Sequence, residues 1–320
     1  MSSHPPWQPV LALDVGGTKL AAGVVGPDGG LRSLHQVGTV VGEGPAAVVK
    51  RLLELGEQAL AESSDGPVVA VGVGCGGPLD PRNGVILGPP GLPGWDEVPL
   101  GRMVADRFGL PTYVENDATA AALGEFQWGG WGVRDLVYLT VSTGFGGGVV
   151  ANGKLFRGAA DQGGELGHVV VDWQGRVCGC GARGCAEAYV SGTSVARRAT
   201  EAVADRLGSS LAHLPVITAK DVAEHARAGD DVAGAVWDET TAMLGRMVAV
   251  LINICEPELV VLGGGVTRSG NQLLDPVREA ALRQAMPPAA NACDVVLSRH
   301  GDAVGVLGAA AIAYERLGAV

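Results

Sequence analysis

One arrangement occurs twice in this chain and limits the fold more than any other: an apolar strand, a glycine-rich turn, and an apolar return strand. Val10-Leu11-Ala12-Leu13 runs into Asp14-Val15-Gly16-Gly17-Thr18-Lys19, and Leu20 to Val25 returns. Leu136 to Val141 runs into Ser142-Thr143-Gly144-Phe145-Gly146-Gly147-Gly148, and Val149-Val150 returns. Asp14 and Thr140 hold similar places in the two units, so the pattern predicts a duplicated architecture with a hairpin at the heart of each copy. A third glycine turn, Gly74-Cys75-Gly76-Gly77-Pro78, follows a strand expected over Val68 to Val73.

Glycine makes up 51 of the 320 residues, roughly twice its average share, and much of it sits in such turns. Without a Cβ, backbone N–H groups can approach an anion closely and successive amides can point at one oxygen cluster. Any one of these turns is more often just an ordinary hairpin turn. Three in one chain point to a nucleotide. The P-loop pattern is absent, and Gly144-Phe145-Gly146 leads into a strand where a dinucleotide fingerprint requires a helix. A different phosphate-binding fold is required.

The reactive side chains crowd into a second feature. Glu165-Leu166-Gly167-His168 is followed by Cys178-Gly179-Cys180-Gly181-Ala182-Arg183-Gly184-Cys185-Ala186-Glu187. One His and three Cys, with glycines that let the backbone turn each sulfur toward a common point, fit the tetrahedral N/S shell of Zn²⁺. A disulfide among the three thiols would leave one unpaired and His168 unexplained. Four protein ligands leave no open position for water, so the metal at His168, Cys178, Cys180 and Cys185 is expected to be structural, pinning a loop flanked by Glu165 and Glu187. Cys75, Cys255 and Cys293 have no partner at ligand spacing and read as core residues in a reducing compartment.

The other elements follow from periodicity. Helices are expected over Pro45–Ala61, Leu100–Phe108, Ala118–Phe126 with Asp117 as its N-cap, Ala186–Arg206 with a break near Ser191-Gly192, Ala219–Ala228, Asp231–Cys255 and Ala303–Tyr314. Further strands are expected over Pro111–Val114, Leu259–Leu262 (running into Gly263-Gly264-Gly265) and Val295–Leu297. Residues 80 to 97, rich in Pro and Gly, read as loop.

A formal net charge of −11 without a Lys/Arg cluster argues against non-specific binding to nucleic acid or to an anionic membrane. The first residues, Met1-Ser2-Ser3-His4-Pro5-Pro6, lack the basic region of a signal peptide, and no apolar run reaches the roughly 20 residues a membrane span needs. The expectation is a cytoplasmic protein of two domains.

Taken together and in order, Asp14-Val15-Gly16-Gly17-Thr18-Lys19, Glu115-Asn116-Asp117-Ala118, Ser142 to Gly148, Glu165 to His168, the cysteine cluster through Glu187, and Leu262-Gly263-Gly264-Gly265 resemble the ROK family of sugar kinases and repressors over nearly the whole chain. The resemblance implies the α/β, two-domain actin-like ATPase (ribonuclease H-like) fold, mixed sheets with flanking helices, closing over sugar and ATP. It implies a small domain over residues 1–116, with a closing helix at about 303–320 packing back on it, and a large domain over 117–302 carrying the zinc loop 165–187. The activity implied is transfer of phosphate from ATP with Mg²⁺ to a hexose hydroxyl, with glucose favoured and an N-acylhexosamine (N-acetylmannosamine or N-acetylglucosamine) as the alternative.

By the same resemblance Asp117 is the general base. Chemistry agrees, because a sugar hydroxyl is a poor nucleophile and one carboxylate must take its proton. Gly77, Asn116, Glu165, His168 and Glu187 are the expected sugar contacts. On the nucleotide side stand Asp14, which would orient water on Mg²⁺, the turn Gly16, Gly17, Thr18 and Lys19, the turn Thr143 and Gly144, and Gly263, Gly264 and Gly265 at the adenosine. Gly91 stands where glucokinases of the family often have Asn. A homodimer or homotetramer is implied. A sugar-responsive regulator is the reading from another class, but only 13 residues precede Asp14, three of them proline, and none of them forms a basic stripe for DNA.

Overall fold

The computed structural model describes residues 8–204, 206 and 208–318. The amino-terminal stretch read against a signal peptide lies outside residues 8–318. Contacts divide the chain into two compact units, one taking the chain up to Gly132, Arg157–Gly163 and the chain from Asp302, the other Val133–Phe156 and Gly164–Gly301.

In the first unit β1 (Val10–Val15), β2 (Lys19–Val25) and β3 (Leu31–Gly38) form an antiparallel meander. Helix α1 (Pro45–Glu62) then leads to β4 (Val71–Cys75), and a small ribbon of β5 (Leu79–Asp80) and β6 (Val85–Ile86) precedes helix α2 (Leu100–Phe108). Strand β7 (Thr112–Asn116) runs directly into helix α3 (Asp117–Trp128). The sheet order is β3-β2-β1-β4-β7, with β4 parallel to both β1 and β7. Leu11, Leu13 and Val15 pack with α1 residues such as Val48 and Leu52, while Val10 and Ala12 pack with the carboxy-terminal helix Val304–Arg316. Burial on both faces is why β1 reads as a continuous apolar run rather than an alternating one.

The second unit repeats this plan. Strands β8 (Leu136–Val141), β9 (Phe145–Ala151) and β10 (Lys154–Leu155) form the meander. Helices α4 (Glu187–Val190), α5 (Gly192–Ala204), α6 (Ala219–Arg227) and α7 (Asp231–Cys255) precede β11 (Leu259–Gly263), and α8 (Asn271–Gln284) and α9 (Pro287–Ala292) precede β12 (Asp294–Leu297). The order is β10-β9-β8-β11-β12, again with the last two joins parallel. Asp14 and Thr140 are both the fifth residue of a six-residue strand, opposite Gly74 and Gly263 of the parallel neighbour.

Three expectations need correction. The domain boundary does not fall between Asn116 and Asp117: α3 belongs to the first unit because it packs against the carboxy-terminal helix at a glycine crossing, where a Cβ on Gly124 would lie 2.9 Å from Gly308 N and one on Gly308 would lie 2.6 Å from Ala121 N. The second glycine turn is only Ser142–Gly144, closed by the Ser142 N–H donating to Gly144 O at 2.9 Å. Gly146, Gly147 and Gly148 are strand residues; a Cβ on Gly147 would approach Tyr138 O to 2.6 Å, so glycine here serves strand and loop packing. Strand β3 and helices α8 and α9 were not anticipated. Among the described residues no helix is long and apolar enough to cross a membrane.

Candidate active site

In the first unit the chemistry gathers where β7 becomes α3. The expected N-cap, Asp117, is already helical, and Asn116 does the capping: its backbone is extended (φ −58°, ψ 136°) and its Oδ1 accepts from the N–H groups of Ala118 and Thr119, 3.0 Å each. Both lone pairs of that oxygen are thereby used, so toward a sugar Asn116 offers its N–H₂ alone. Asp117, half-buried, accepts from Ala118 N–H at 2.8 Å.

Asp14 lies under the same junction. A Cβ on Gly74 would meet Asp14 Oδ1 at 3.7 Å and Asp117 Cα at 3.6 Å, and a Cβ on Gly305, in the first turn of the carboxy-terminal helix, would collide with the Asp14 carboxylate. Burial pushes the Asp14 carboxyl up to about 7, and the charge of Asp117 adds to the rise while Lys19 opposes it. The carboxylates of Asp14 and Asp117 at one junction are hard oxygen donors of the kind that suits a divalent cation such as Mg²⁺. The turn after β1 is closed by the Gly16 N–H donating to Lys19 O at 3.0 Å. Gly17 packs against the loop at Gly91, since a Cβ there would fall 2.8 Å from Gly91 O. Gly77 follows β4 in the third glycine turn, partly exposed.

In the second unit a cavity of about 630 Å³ opens beside the turn after β8. Thr143, Thr193 and Gly265 line it, Ala196, Ile217 and Val266 give it an apolar wall, and Lys220, Glu224, Arg227 and Arg268 supply charge. An apolar slot with a few polar groups is what a purine nucleoside needs. Of the three glycines expected there, only Gly265 lines the cavity. Gly263 lies under the ring of Tyr138, and Gly264, in the left-handed region at φ +90°, crosses Val141, whose carbonyl carbon would be 2.7 Å from a Cβ. Gly144 sits instead beside Glu187, 3.4 Å from its Oε2 to a Cβ.

Glu187 begins α4 and accepts from the Phe145 N–H through Oε2 at 3.1 Å. Its other oxygen is 3.8 Å from Cys178 Sγ, so the carboxylate links the turn after β8 to the cysteine loop. Glu165 Oε2 is 3.8 Å from His168 Nε2, and both side chains are exposed.

The ligand atoms of His168, Cys178, Cys180 and Cys185 all lie within 4.8 Å of one another. Cys178 Sγ is 3.8 Å from His168 Nδ1, and the Cys180 and Cys185 sulfurs are 3.7 Å apart. A tetrahedron with metal–sulfur bonds of about 2.3 Å has edges of about 3.8 Å. The four donors therefore fit zinc, and His168 presents Nδ1 to the thiols while Nε2 faces Glu165. The backbone shapes the loop: the Cys178 N–H donates to Ala182 O at 2.8 Å, and bridges join Val177 to Arg183 and Val170 to Cys185. All six cysteines are free thiols.

This site geometry can be set beside known proteins. The ROK family profile matches residues 10–316. The chain belongs to the ROK family. It is 39% identical to the glucokinase of Thermotoga maritima over 97% of this chain and 98% of that protein. It is 34% identical to the N-acetylmannosamine kinase of Escherichia fergusonii over 95% of this chain and 97% of that protein. Among solved structures, a ROK family glucokinase from Streptomyces griseus in complex with glucose and AMPPNP matches with a TM-score of 0.81 at 35% identity, over 94% of this chain and 98% of that one. The actin-like ATPase fold expected from the ROK motifs is thereby shown for this chain.

Sequence reasoning missed most of the cavity of this ROK protein. Thr193 follows the break expected near Ser191-Gly192 but was not singled out, and its hydroxyl donates to Thr143 O at 2.8 Å, tying the start of α5 to the turn after β8. Ile217, Lys220, Arg227 and Arg268 carry no local motif; folding alone brings them together.

Proposed function

We propose that this chain is an ATP-dependent glucokinase that transfers the terminal phosphoryl group of ATP to a hydroxyl of glucose. The observation that carries the reading is near full-length similarity to glucokinases, one of them holding glucose and AMPPNP. Asp117 takes the proton of the attacking hydroxyl as the new P–O bond forms and the bond from the terminal phosphorus to ADP breaks, ADP leaving. An aspartate suffices, because phosphoryl transfer depends on positioning and charge stabilisation more than on a strong base. Asn116, through its N–H₂, and Glu165, His168 and Glu187 hold the sugar hydroxyls, with Gly77 giving close backbone approach.

The amides of Gly17, Thr18 and Lys19, with Gly16 closing their turn, and those of Thr143 and Gly144 bind the phosphates, and the cavity bounded by Ile217, Gly265 and Val266 takes the adenosine. Mg²⁺ would supply charge neutralisation at the phosphates, and Asp14 would orient a water on it. Zinc at His168, Cys178, Cys180 and Cys185 supplies no chemistry; its ligands hold the loop that aims Glu165 and Glu187. The similarity to an N-acetylmannosamine kinase keeps N-acylhexosamines as the second reading of the substrate.

The test is ADP release with glucose, N-acetylmannosamine and N-acetylglucosamine in parallel. Glucose should give the highest kcat/KM. Preference for an acylated sugar would move the assignment to the second reading, and no turnover with any sugar would refute a kinase.

A further inference from the structure

We infer that Arg157 is a positioning residue for phosphoryl transfer, acting on Asp117 through Glu115; this rests on the reading of Asp117 as the base. Glu115 is the residue of β7 just ahead of Asn116 and Asp117, and its side chain is 1% exposed. Arg157 Nε donates to its Oε2 at 2.7 Å, and the other oxygen, Oε1, accepts from the Asn116 N–H at 3.2 Å. One buried carboxylate thus reaches from a guanidinium to the first amide of the strand–helix junction. Arg157 also pairs with the carboxy-terminal helix, Nη1 lying 3.1 Å from Glu315 Oε1 and Nη2 bonding to Oε2.

Arg157 belongs to the segment Arg157–Gly163, which the rest of the first unit grips at two further points: Arg82 pairs with Asp161, and Gln162 Nε2 donates to Leu79 O at 2.5 Å. The guanidinium is therefore held in place from its own segment as well as from Glu315.

A buried carboxylate that loses its counter-charge protonates or draws in water, and either response loosens its hold on the Asn116 amide. The residue that then moves is Asp117, whose carboxylate must meet one hydroxyl proton. A misplacement of about 1 Å at a reacting group costs about 100-fold. The competing account is that Arg157 only ties the carboxy-terminal helix to the sheet, a duty its pair with Glu315 would discharge without Glu115.

Steady-state kinetics with glucose, run well below each variant's unfolding midpoint, separate the two. Arg157→Gln should lower kcat by about 10- to 100-fold with the KM for ATP within about twofold of wild type. Arg157→Lys, which keeps the charge but not the fork, should fall between them. Glu315→Gln should lower the thermal midpoint yet hold kcat within about twofold. The inference is overturned if folded Arg157→Gln keeps wild-type kcat, or if Glu315→Gln loses as much kcat as Arg157→Gln does. Should Arg157→Gln fail to fold, Arg157→Lys carries the test, and wild-type kcat in it overturns the inference. Asp117→Asn, measured alongside, locates a failure: if it keeps turnover, the base assignment falls and this inference with it; if it loses turnover while Arg157→Gln does not, only the role of Arg157 falls.

Discussion

Asn116 caps the helix that Asp117 begins. The amide oxygen of Asn116 receives the N–H groups of Ala118 and Thr119, while the Asp117 carboxylate bonds to Ala118 N–H. Capping and chemistry thus fall on neighbouring residues and can be separated by mutation. Asn116→Ala should lower the unfolding free energy by about 1 kcal/mol, read from denaturant unfolding at unchanged slope. Wild-type stability would mean that Asp117 replaces the cap unaided.

The glycines at positions 17 and 91 should respond unequally. A Cβ on Gly17 would press on the Gly91 carbonyl at 2.8 Å, whereas one on Gly91 would meet only Gly17 Cα at 3.8 Å. Gly17→Ala should therefore destabilise the protein and raise the KM for glucose as well as that for ATP, because the loop at Gly91 must shift. Gly91→Ala should leave stability within about 0.5 kcal/mol of wild type. An effect of Gly17→Ala confined to ATP would place the strain at the phosphates instead of the loop.

Asp14 sets a pH dependence of the nucleotide-free protein. Its carboxyl titrates near 7 when folded and near the ordinary 3.8 when unfolded, because burial and the charge of Asp117 disfavour ionisation. Between these values the folded state binds the extra proton, so this group's contribution to stability is full below about pH 4 and is lost as pH rises toward 7. Asp14→Asn removes the loss. With chelator present, its thermal midpoint should exceed that of wild type at pH 8, and the difference should shrink toward pH 4. Parallel melting profiles would contradict the assignment.

Purified protein should carry about one zinc per chain if the four donors share one ion. Cys180→Ala should lose the metal and melt earlier, since metal-binding free energy is folding free energy for the loop. Far-UV circular dichroism should still show a folded protein, because the core around β1 lies wholly outside the loop and the core around β8 is built mainly by strands and helices, the loop adding Val171, Cys178, Cys185 and Ala186 to it. Activity should fall as Glu165 and Glu187 lose their support. Active enzyme that contains no zinc would refute the metal site.

Much of this was legible in the sequence for identifiable reasons. The strands at Val10 and Leu136 announce themselves because both of their faces are buried, and α7 because its apolar residues recur along one face. Strand β3 hides because it is an edge strand, with most side chains from Leu31 to Gly38 exposed or partly exposed, among them His35 and Gln36. Helix α8 hides behind Gly270 at its N-cap and Pro276 within it. The glycines of β9 and β11 misled because a glycine required by close packing, as at Gly147 and Gly263, looks the same in sequence as one required by a turn. The cysteine cluster was legible because its ligands are local, and the cavity wall was not because its residues are distant in the chain.

The most direct test of the account is single-turnover phosphorylation of glucose by wild type and Asp117→Asn at saturating ATP and Mg²⁺. The substitution keeps size and removes the proton acceptor. The rate should fall by about 10² to 10⁴, with glucose affinity, measured by equilibrium binding, within a few-fold of wild type. A variant that transfers phosphate at the wild-type rate would contradict the assignment of Asp117 as the base.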